Sequence, residues 1–531
     1  MVGANGGIEL KTKIKSNHFN LVVALLSFSK YDFFARNKRK EDDVMDNDIT
    51  KLLHIKDAGI HILGIHDKDD VRTIALERWP TLHYCPLCQC RMYSKGVRKR
   101  KVRHQITQDG FKIVLELHQR RWQCANEGCK FLESEAFSFV EPRRRTTNLN
   151  DILIVKAFKN PNDSAAAIAK RFNVSPTHAI TTFARYVDMP RRQLPEILCI
   201  DEVYLGISKK CNYALVLQDF VNGEPIDLVI NRRNEITEPY FSRIPYKERA
   251  RVKYLVSDMY RPYQDYVKEY FPNATPVVDS FHVIKLINNK FLAYIRSVIR
   301  KYDQADRDRH ERLEQEFHRQ IPFTHSRDYL LLKRYNWMLL KNGRDLKYYS
   351  QPTMNYQLGR MMNTFDYMDW LLKLDSSFEE RRRLKEIYID FNIKYAGNPK
   401  EARKELPKII ALYANSKYEM YREMAKTLTE FFEPIINSFI LVERHGLKGE
   451  YASRLSNGPM ESLNRIPKDM KRIGRGFENF DHIRNRFLFS QRKNATILGT
   501  PKPLSEIYAT RPHRKHSRTI DDYIIIDEED N

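Results

Sequence analysis

Residues 197–202 read Ile197-Leu-Cys-Ile-Asp201-Glu202, an apolar run that ends in two carboxylates. Strand-like runs follow at 212–218 and 226–230, and together they indicate three consecutive strands. Helix-like segments then alternate with the runs that end in Asp258 and Asp279. Three strands followed by helix–strand–helix–strand predict an RNase H-like mixed α/β sheet. In that sheet the strands that end in Asp201 and Asp258 are neighbours, so we expect the two carboxylates to converge.

A third carboxylate lies in the segment Ser456-Asn-Gly-Pro-Met-Glu461-Ser-Leu-Asn464. Glu461, Asn464, Lys468 and Arg472 recur at spacings of three and four, so on a helix they share one face. Carboxylate oxygens suit Mg²⁺ or Mn²⁺, and three of them can hold the two metal ions of a phosphoryl-transfer site. For the helix alone, a solvated basic face is the alternative interpretation.

Two short-spaced cysteine pairs, Cys85-Pro-Leu-Cys88 and Cys124-Ala-Asn-Glu-Gly-Cys129, flank two strand-like runs joined at Asp109-Gly110. Two such knuckles around a hairpin predict a zinc ribbon, with Cys85, Cys88, Cys124 and Cys129 around Zn²⁺. Buried free cysteines are the alternative, and Cys90 is a spare that could replace Cys88.

The predicted ribbon carries a dense group of cations. We expect Arg98, Lys99, Arg100 and Lys101 to contact DNA phosphates, with Tyr93 and Trp122 stacking on bases. An ordinary solvated surface is the alternative.

A helix-turn-helix pattern follows. Small residues after Ser164 predict one helix, and Ser175 with Pro176 predicts the N-cap and first position of a second helix, to Tyr186. The second helix of this motif enters the major groove, so Thr177, His178 and Thr181 are the base-facing candidates. Two packed helices without a DNA role are the alternative.

The charge of the chain agrees with a nucleic-acid partner. The 531 residues include 91 Lys and Arg against 68 Asp and Glu, which gives a formal charge of +23. The early apolar run 21–28 is too short to span a bilayer and lacks a convincing cleavage site. We therefore expect a cytosolic protein without a membrane partner.

Residues 301–449 are almost wholly helical in pattern, with Met420, Met424 and Leu428 among a stripe that predicts core packing, and with Trp337 packed inside. The overall expectation is a multidomain α+β protein. Its predicted divisions are an N-terminal segment of unknown role (1–80), a zinc ribbon (81–135), a helix-turn-helix (148–190), a catalytic core in two parts (195–300 and 450–495) around a helical insertion (301–449), and a basic then acidic tail (496–531).

These motifs, in this order, resemble the ISL3 family of bacterial insertion-sequence transposases over about residues 45 to 495. The family belongs to the DDE superfamily, so the resemblance implies Asp201, Asp258 and Glu461 as catalytic metal ligands. It also implies supporting roles for Asp279 and His282, with Asn464 beside the glutamate, and DNA contacts for Arg232, Lys468 and Arg472.

The resemblance further implies metal-dependent cleavage at the 3′ ends of an element, and joining of those ends to target DNA. The expected partners are the element's terminal inverted repeats, target DNA and at least one further protomer, because synapsis needs two ends. Two alternatives stay open. One is an RNase H-like nuclease or resolvase that cuts without joining, and the other is a catalytically silent DNA-binding regulator.

Overall fold

The computed structural model describes residues 48–106, 110–207, 212–231, 233–446, 449–474 and 479–509. Arg232, the hairpin turn at Asp109, the first 47 residues and the tail from residue 510 lie outside the described residues. The described chain forms two compact units, one that ends at Val187 and includes Gly499–Ile507, and one from Asp188 to Leu498. None of the described helices has the length and apolar character needed to cross a bilayer.

The first unit is built on a five-stranded sheet with the order β1-β2-β4-β3, in which β5 also pairs with β4. Strands β3 and β4 form the predicted hairpin, antiparallel from Met92 opposite Cys124 to Ile106 opposite Lys112. Strands β1 and β2 were not predicted. They lie before residue 80, so the sheet includes residues from both the expected N-terminal segment (1–80) and the expected zinc ribbon (81–135). The strands are β1 Ile60–Lys68, β2 Val71–Arg78, β3 Met92–Ile106, β4 Lys112–Cys124 and β5 Leu132–Ser134.

Three helices follow in the same unit: α1 Asn148–Ala157, α2 Ala165–Arg171 and α3 Pro176–Tyr186. The predicted N-cap is confirmed, because the Ser175 side chain accepts from the His178 N–H. Ser164, which was not predicted as a cap, likewise accepts from the Ala167 N–H at the start of α2. Phe158 and Phe183 pack together between α1 and α3, with ring centroids 4.8 Å apart. The result is a small three-helix bundle whose last two helices are joined by a short turn.

The second unit contains a mixed sheet with the order β10-β9-β6-β7-β8. Strands β6, β7 and β8 pair antiparallel, whereas β6, β9 and β10 pair parallel. The mixed α/β character predicted from the sequence is therefore confirmed. Its elements are β6 Ile197–Tyr204, β7 Tyr213–Asp219, β8 Pro225–Val229, α4 Asn234–Ser242, α5 Tyr246–Arg249, β9 Tyr254–Ser257, α6 Arg261–Tyr270 and β10 Thr275–Val278.

A helical region continues from β10 around a core that contains Met420, Met424 and Leu428, as predicted. Trp337 was expected inside this core but is 48% exposed. Two elements of the region form a short β-ribbon within the helices. The bounds are α7 Ser280–Phe317, α8 Arg327–Tyr335, α9 Trp337–Leu340, β11 Thr353–Asn355, β12 Arg360–Met362, α10 Thr364–Lys373, α11 Phe378–Lys394, α12 Pro399–Ala414, α13 Glu419–Glu430 and α14 Phe432–Asn437.

After the helical region the chain returns to the mixed sheet. Helix α15 packs against β6, and α16 packs against β8. Pro467 lies inside α15 without ending it, and the helix is described as far as Gly474. The remaining elements are β13 Leu441–Gly446, β14 Gly449–Arg454, α15 Gly458–Gly474, α16 Phe480–Gln491 and α17 Leu504–Ala509.

Candidate functional site

The aspartates Asp201, Asp258 and Asp279 lie at one edge of the mixed sheet. Cys199 of β6 is opposite Val256 of β9. Asp201 lies two residues after Cys199 and Asp258 two residues after Val256, so the two aspartates are at equivalent positions on adjacent strands. Ser257 of β9 is opposite Val278 of β10, so Asp258 and Asp279 are likewise at equivalent positions. Asp201 was expected at the end of its strand, but β6 runs on to Tyr204 because its pairing with β7 continues past the aspartate.

The carboxylates of this edge influence one another. The pKa of Asp201 is raised to about 6, mainly by burial; the Glu202 backbone N–H opposes this rise and the charge of the Asp258 carboxylate adds to it. Asp258 in turn accepts a hydrogen bond from the Tyr260 backbone N–H at 3.0 Å. Two mutually repelling carboxylates in a buried setting form a site that gains from a bound cation.

Helix α15, which bears Glu461, is hydrogen-bonded to the same edge. The Asn464 side-chain amide, one turn after Glu461, donates to Asp201 Oδ2 at 2.9 Å. Near the helix end, Lys471 Nζ donates to the backbone carbonyls of Leu205 and Gly206, just beyond β6. Hydrogen bonds therefore join α15 to β6 and to the residues just beyond it at two places. Glu461, which lies in the first turn of α15 before Asn464, is half-buried.

Asp279 connects the start of α15 to the start of α7. One carboxylate oxygen accepts from the Phe281 N–H at 3.0 Å and caps α7, and the other accepts from the Asn457 N–H at 2.8 Å. The side chain is only 3% exposed. These contacts give Asp279 a positioning role for α15. His282 lies in the first turn of α7, and its charge lowers the pKa of Asp201.

Side chains of α7 and α15 include buried polar atoms without a hydrogen-bond partner among the described residues. Asn464 Oδ1 and His282 Nε2 are buried atoms for which the described residues provide no hydrogen-bond partner. Unsatisfied buried polar atoms are rare in proteins, and they suit a site that receives a ligand. Asp201, Asp258 and Glu461 do not form a preassembled group of metal-ligand atoms; among the described residues, such a group of three or more His, Cys, Asp or Glu side chains is formed by four cysteines.

Two residues of this edge were not predicted. Glu202 Oε1 accepts from the buried Tyr263 hydroxyl at 2.7 Å. Burial raises the pKa of Tyr263, and the charges of Glu202, Asp258 and Asp201 raise it further. The doublet Asp201-Glu202 was visible in the sequence, but the partner of Glu202 depends on how α6 packs. Lys471 was likewise visible as a cation without any sign that it binds backbone carbonyls.

The predicted cysteine set in the first unit forms a close group of potential metal ligands. The four sulfurs of Cys85, Cys88, Cys124 and Cys129 all lie within 4.8 Å of one another. The two shortest separations are 3.6 Å between Cys85 and Cys129 and 3.3 Å between Cys88 and Cys124. Sulfurs about 2.3 Å from a tetrahedral Zn²⁺ stand about 3.8 Å apart, so the group fits this ion.

The surroundings of the cysteines shift the pKa values of the individual thiols in opposite directions. The Cys90 backbone N–H donates to Cys88 and lowers its pKa to about 6, whereas burial raises the pKa of Cys124 to about 12. Cys90 itself is exposed and does not belong to the group. Trp122 was expected to stack on DNA bases, but it is 7% exposed and packs beside Cys85 and Cys124.

A cationic cleft of about 900 Å³ lies on the first unit. Its walls combine β3 with the loop before α1, and Asn173 of the turn between α2 and α3 also lines it. Arg100 is partly structural, because its guanidinium donates to the backbone carbonyls of Glu141 and Arg144. The cations that line the cleft are Arg98, Lys99, Arg100, Lys101, Arg103, Arg143 and Arg145.

The predicted base-facing residues of α3 differ in exposure. Thr177 is exposed, whereas Thr181 is 5% exposed and faces the helix bundle, so the expectation for Thr181 is wrong. The His178 ring is half-buried, with Nε2 3.5 Å from an Asp151 carboxylate oxygen. Lys468 and Arg472, on α15, are exposed, and Arg472 pairs with Asp469 at 2.9 Å.

Comparison with known proteins adds to this geometry. A family model described as Transposase, of the ISL3 type in the DDE class, matches residues 198–487. A transposase for insertion sequence element IS1001 from Bordetella parapertussis is 23% identical over 286 residues. That match covers 52% of this chain and 64% of the relative, so the chain spans less than two thirds of the relative's length.

Proposed function

This chain belongs to the ISL3 family of transposases, and we propose that it cleaves the 3′ ends of an insertion sequence and joins them to target DNA. The observation that carries the proposal is the register of β6 and β9, which gives Asp201 and Asp258 equivalent positions on adjacent strands. The bond from Asn464 to Asp201 adds the helix that bears Glu461 to the same edge.

In this proposal Asp201, Asp258 and Glu461 hold Mg²⁺ or Mn²⁺. The proposed RNase H-like core comprises residues 195–300 and 450–495, and it is supported by the sheet order β10-β9-β6-β7-β8. Bound in pairs, such ions activate the attacking oxygen and stabilise the leaving oxygen in phosphoryl transfer. The remaining residues orient this set: Asn464 holds the Asp201 carboxylate, and Asp279 fixes the start of α15.

The protein groups also prepare the site for a phosphate backbone. The half-buried carboxylates of Asp201 and Asp258 repel a DNA phosphate unless their charge is neutralised, so DNA binding and cation binding should be coupled. Lys468 is exposed on α15 and is proposed to contact DNA, together with Arg472 and, outside the described residues, Arg232. No covalent intermediate with a protein side chain is needed for either cleavage or joining.

We assign recognition of the terminal inverted repeats to the first unit. Its proposed parts are a zinc ribbon held by the four cysteines at 81–135 and a helix-turn-helix at 148–190, with Thr177 presented to base edges. The cationic cleft supplies phosphate contacts, since seven arginine or lysine side chains line it. Transposition joins two ends, so the proposed working form contains at least two protomers.

A strand-transfer assay tests the function. Purified protein with Mg²⁺ is incubated with a labelled duplex that carries a pre-cleaved end of the element and with supercoiled plasmid. Joined product supports a transposase. Cleavage of uncut ends without any joining, under the same conditions, would favour a nuclease or resolvase instead. Binding with neither reaction, in Mg²⁺ and in Mn²⁺, would favour a silent DNA-binding regulator.

A further inference from the structure

The helical region of the second unit carries a concentration of exposed apolar side chains. Six of the 28 large hydrophobic side chains that are exposed in the described chain fall between residues 348 and 365. They are Tyr348, Tyr349, Met354, Tyr356, Met361 and Phe365. Exposed apolar side chains scattered singly are ordinary, but a contiguous group indicates an interaction surface.

The group is organised by the two-stranded ribbon of β11 and β12. Met354 is directly opposite Met361 in this ribbon, so the two side chains share one face. Tyr356 lies in the turn directly after β11 and is 87% exposed. The ribbon therefore turns an apolar face to the outside, which a free-standing surface ribbon has no reason to do.

The opposite face of the ribbon is fixed to the helices. Asn355 is 9% exposed, and its amide donates to the Tyr335 and Tyr367 hydroxyls at 2.9 and 2.8 Å. Met362, also on this face, is 4% exposed. Beside the ribbon, Tyr348 and Phe365 stack with ring centroids 4.6 Å apart while both stay exposed. The apolar face is thus held out rigidly instead of collapsing onto the core.

The charge around the ribbon points to the chemistry of its partner. Two arginines lie beside the turn of the ribbon. Arg334 donates to the Gln357 side chain, and the Arg327 guanidinium approaches Gly359 so closely that a Cβ added to this glycine would lie 3.3 Å from it. Arg360 lies on β12, and between residues 341 and 365 Asp345 is the single acidic residue against Lys341, Arg344, Lys347 and Arg360. Asp366 and Asp369 follow on α10 and line a pocket with Arg360 and Met361. The Asp366 carboxylate is engaged in the capping box of α10, where it accepts from the Asn363 N–H.

We infer that this ribbon is a DNA-binding arm whose face of Met354, Tyr356 and Met361 packs against bases, while the surrounding arginines contact phosphates. A two-stranded ribbon fits a DNA groove, and apolar side chains inserted between base steps are a known means of unstacking them. Aromatic side chains stack on any exposed base, so this contact requires no particular sequence. The inference rests on the proposed function, since it takes DNA as the substrate, and it adds a contact outside the carboxylate site.

Photocrosslinking tests the contact directly. Tyr356→p-benzoylphenylalanine in the full chain is irradiated with a labelled duplex that carries an element end, and Tyr246→p-benzoylphenylalanine is the matched control. Tyr246 is 63% exposed on α5 of the same unit. We expect a protein–DNA crosslink from position 356 and little from position 246. A crosslink from 356 only to a second protein chain, or none while the DNA is bound, would overturn the inference.

A binding series separates the arm from the function as a whole. Tyr356→Ala combined with Met361→Ala should weaken DNA binding about ten-fold, because stacking on one base is worth about that factor. The thermal midpoint should stay unchanged, since both side chains are exposed, and Tyr246→Ala should bind like the unaltered protein. Full DNA affinity of the double variant would overturn the inference that the ribbon binds DNA, but it would leave the proposed transposase function untouched. Failure of the unaltered protein to bind DNA at all would overturn the proposed function as well.

Discussion

The side-chain amide of Asn464 lies 2.9 Å from a carboxylate oxygen of Asp201, although 263 residues separate the two in the chain. This hydrogen bond joins the helix that bears Glu461 to the central strand of the mixed sheet. Asn464 is 4% exposed, so the bond is shielded from water. A buried bond to a carboxylate is worth about 1.5–3 kcal/mol, enough to fix the orientation of that carboxylate.

Asn464→Ala should therefore lower the rate of end cleavage by about ten- to one hundred-fold, because Asp201 loses the donor that orients it. Ser462→Ala, at an exposed position on the same helix, is the control and should cleave normally. Single-turnover cleavage in Mg²⁺ measures both. Equal rates for Asn464→Ala and the unaltered protein would mean that the bond has no part in catalysis.

Asp279→Ala should destabilise the second unit by about 2–4 kcal/mol. The change removes the cap of α7, worth about 1 kcal/mol, and the charge-assisted bond to the Asn457 N–H, worth about 1.5–3 kcal/mol. Urea unfolding measures the loss. Asp265→Ala, an exposed change on α6, should stay within about 0.5 kcal/mol of the unaltered protein. The same small effect for Asp279→Ala would exclude the proposed positioning role.

The pKa of Asp201, raised from 3.8 to about 6, has a consequence for stability in metal-free buffer. Between these two values the folded protein binds more protons than the unfolded chain, so its free energy of unfolding falls as pH rises through this window. Asp201→Asn removes the effect. The free energy of unfolding of Asp201→Asn minus that of the unaltered protein should therefore increase by about 2 kcal/mol between pH 4.5 and pH 7. A difference that stays constant with pH would show that Asp201 titrates normally.

Cys88→Ser should abolish zinc binding and expose the first unit to proteolysis, because a structural zinc site supplies about 10–16 kcal/mol of apparent binding free energy in comparable peptides. Cys90→Ser is the matched control two residues away, and it should keep one zinc per chain. Metal analysis of the purified proteins decides between them. Loss of zinc in Cys90→Ser with retention in Cys88→Ser would reverse the assignment of the ligand set.

Arg143→Ala combined with Arg145→Ala should weaken DNA binding at every sequence and reduce the salt dependence. Each lost phosphate contact should lower the slope of log K against log salt by about 0.9. Lys268→Ala, an exposed cation on α6, is the control and should leave the slope unchanged. An unaltered slope in the double variant would mean that the cationic cleft does not bind the DNA backbone.

Local signals in the sequence predicted a large part of this structure. Ser175 and Pro176 marked the start of α3 because capping is decided by neighbouring residues. The cysteine spacing identified all four members of the close thiol group, since two-residue and four-residue knuckles impose their own geometry. The apolar runs that end in Asp201 and Asp258 gave the order of the mixed sheet.

Features that depend on distant partners were not predicted. Strand β2 pairs parallel with β4 across about forty residues, and nothing local in Val71–Arg78 indicates that partner. Helix α7 crosses the expected boundary between the core and the insertion at residue 301 and continues to Phe317 through a charged stretch, supported by pairs such as Asp303 with Arg307 at 3.1 Å. Trp122 was read as a stacking residue because its packing beside the cysteines exists only once the ribbon is folded.

The central claim is that Asp201, Asp258 and Glu461 form one metal-dependent site, and end cleavage tests it most directly. The unaltered protein is compared with Asp201→Asn, Asp258→Asn and Glu461→Gln, with Asp265→Asn as the control, on a labelled element end in Mg²⁺ or EDTA. We predict cleavage by the unaltered and control proteins in Mg²⁺ alone, and loss in all three variants with DNA binding retained. Cleavage in EDTA, or an undiminished rate in any one of the three variants, would contradict the account.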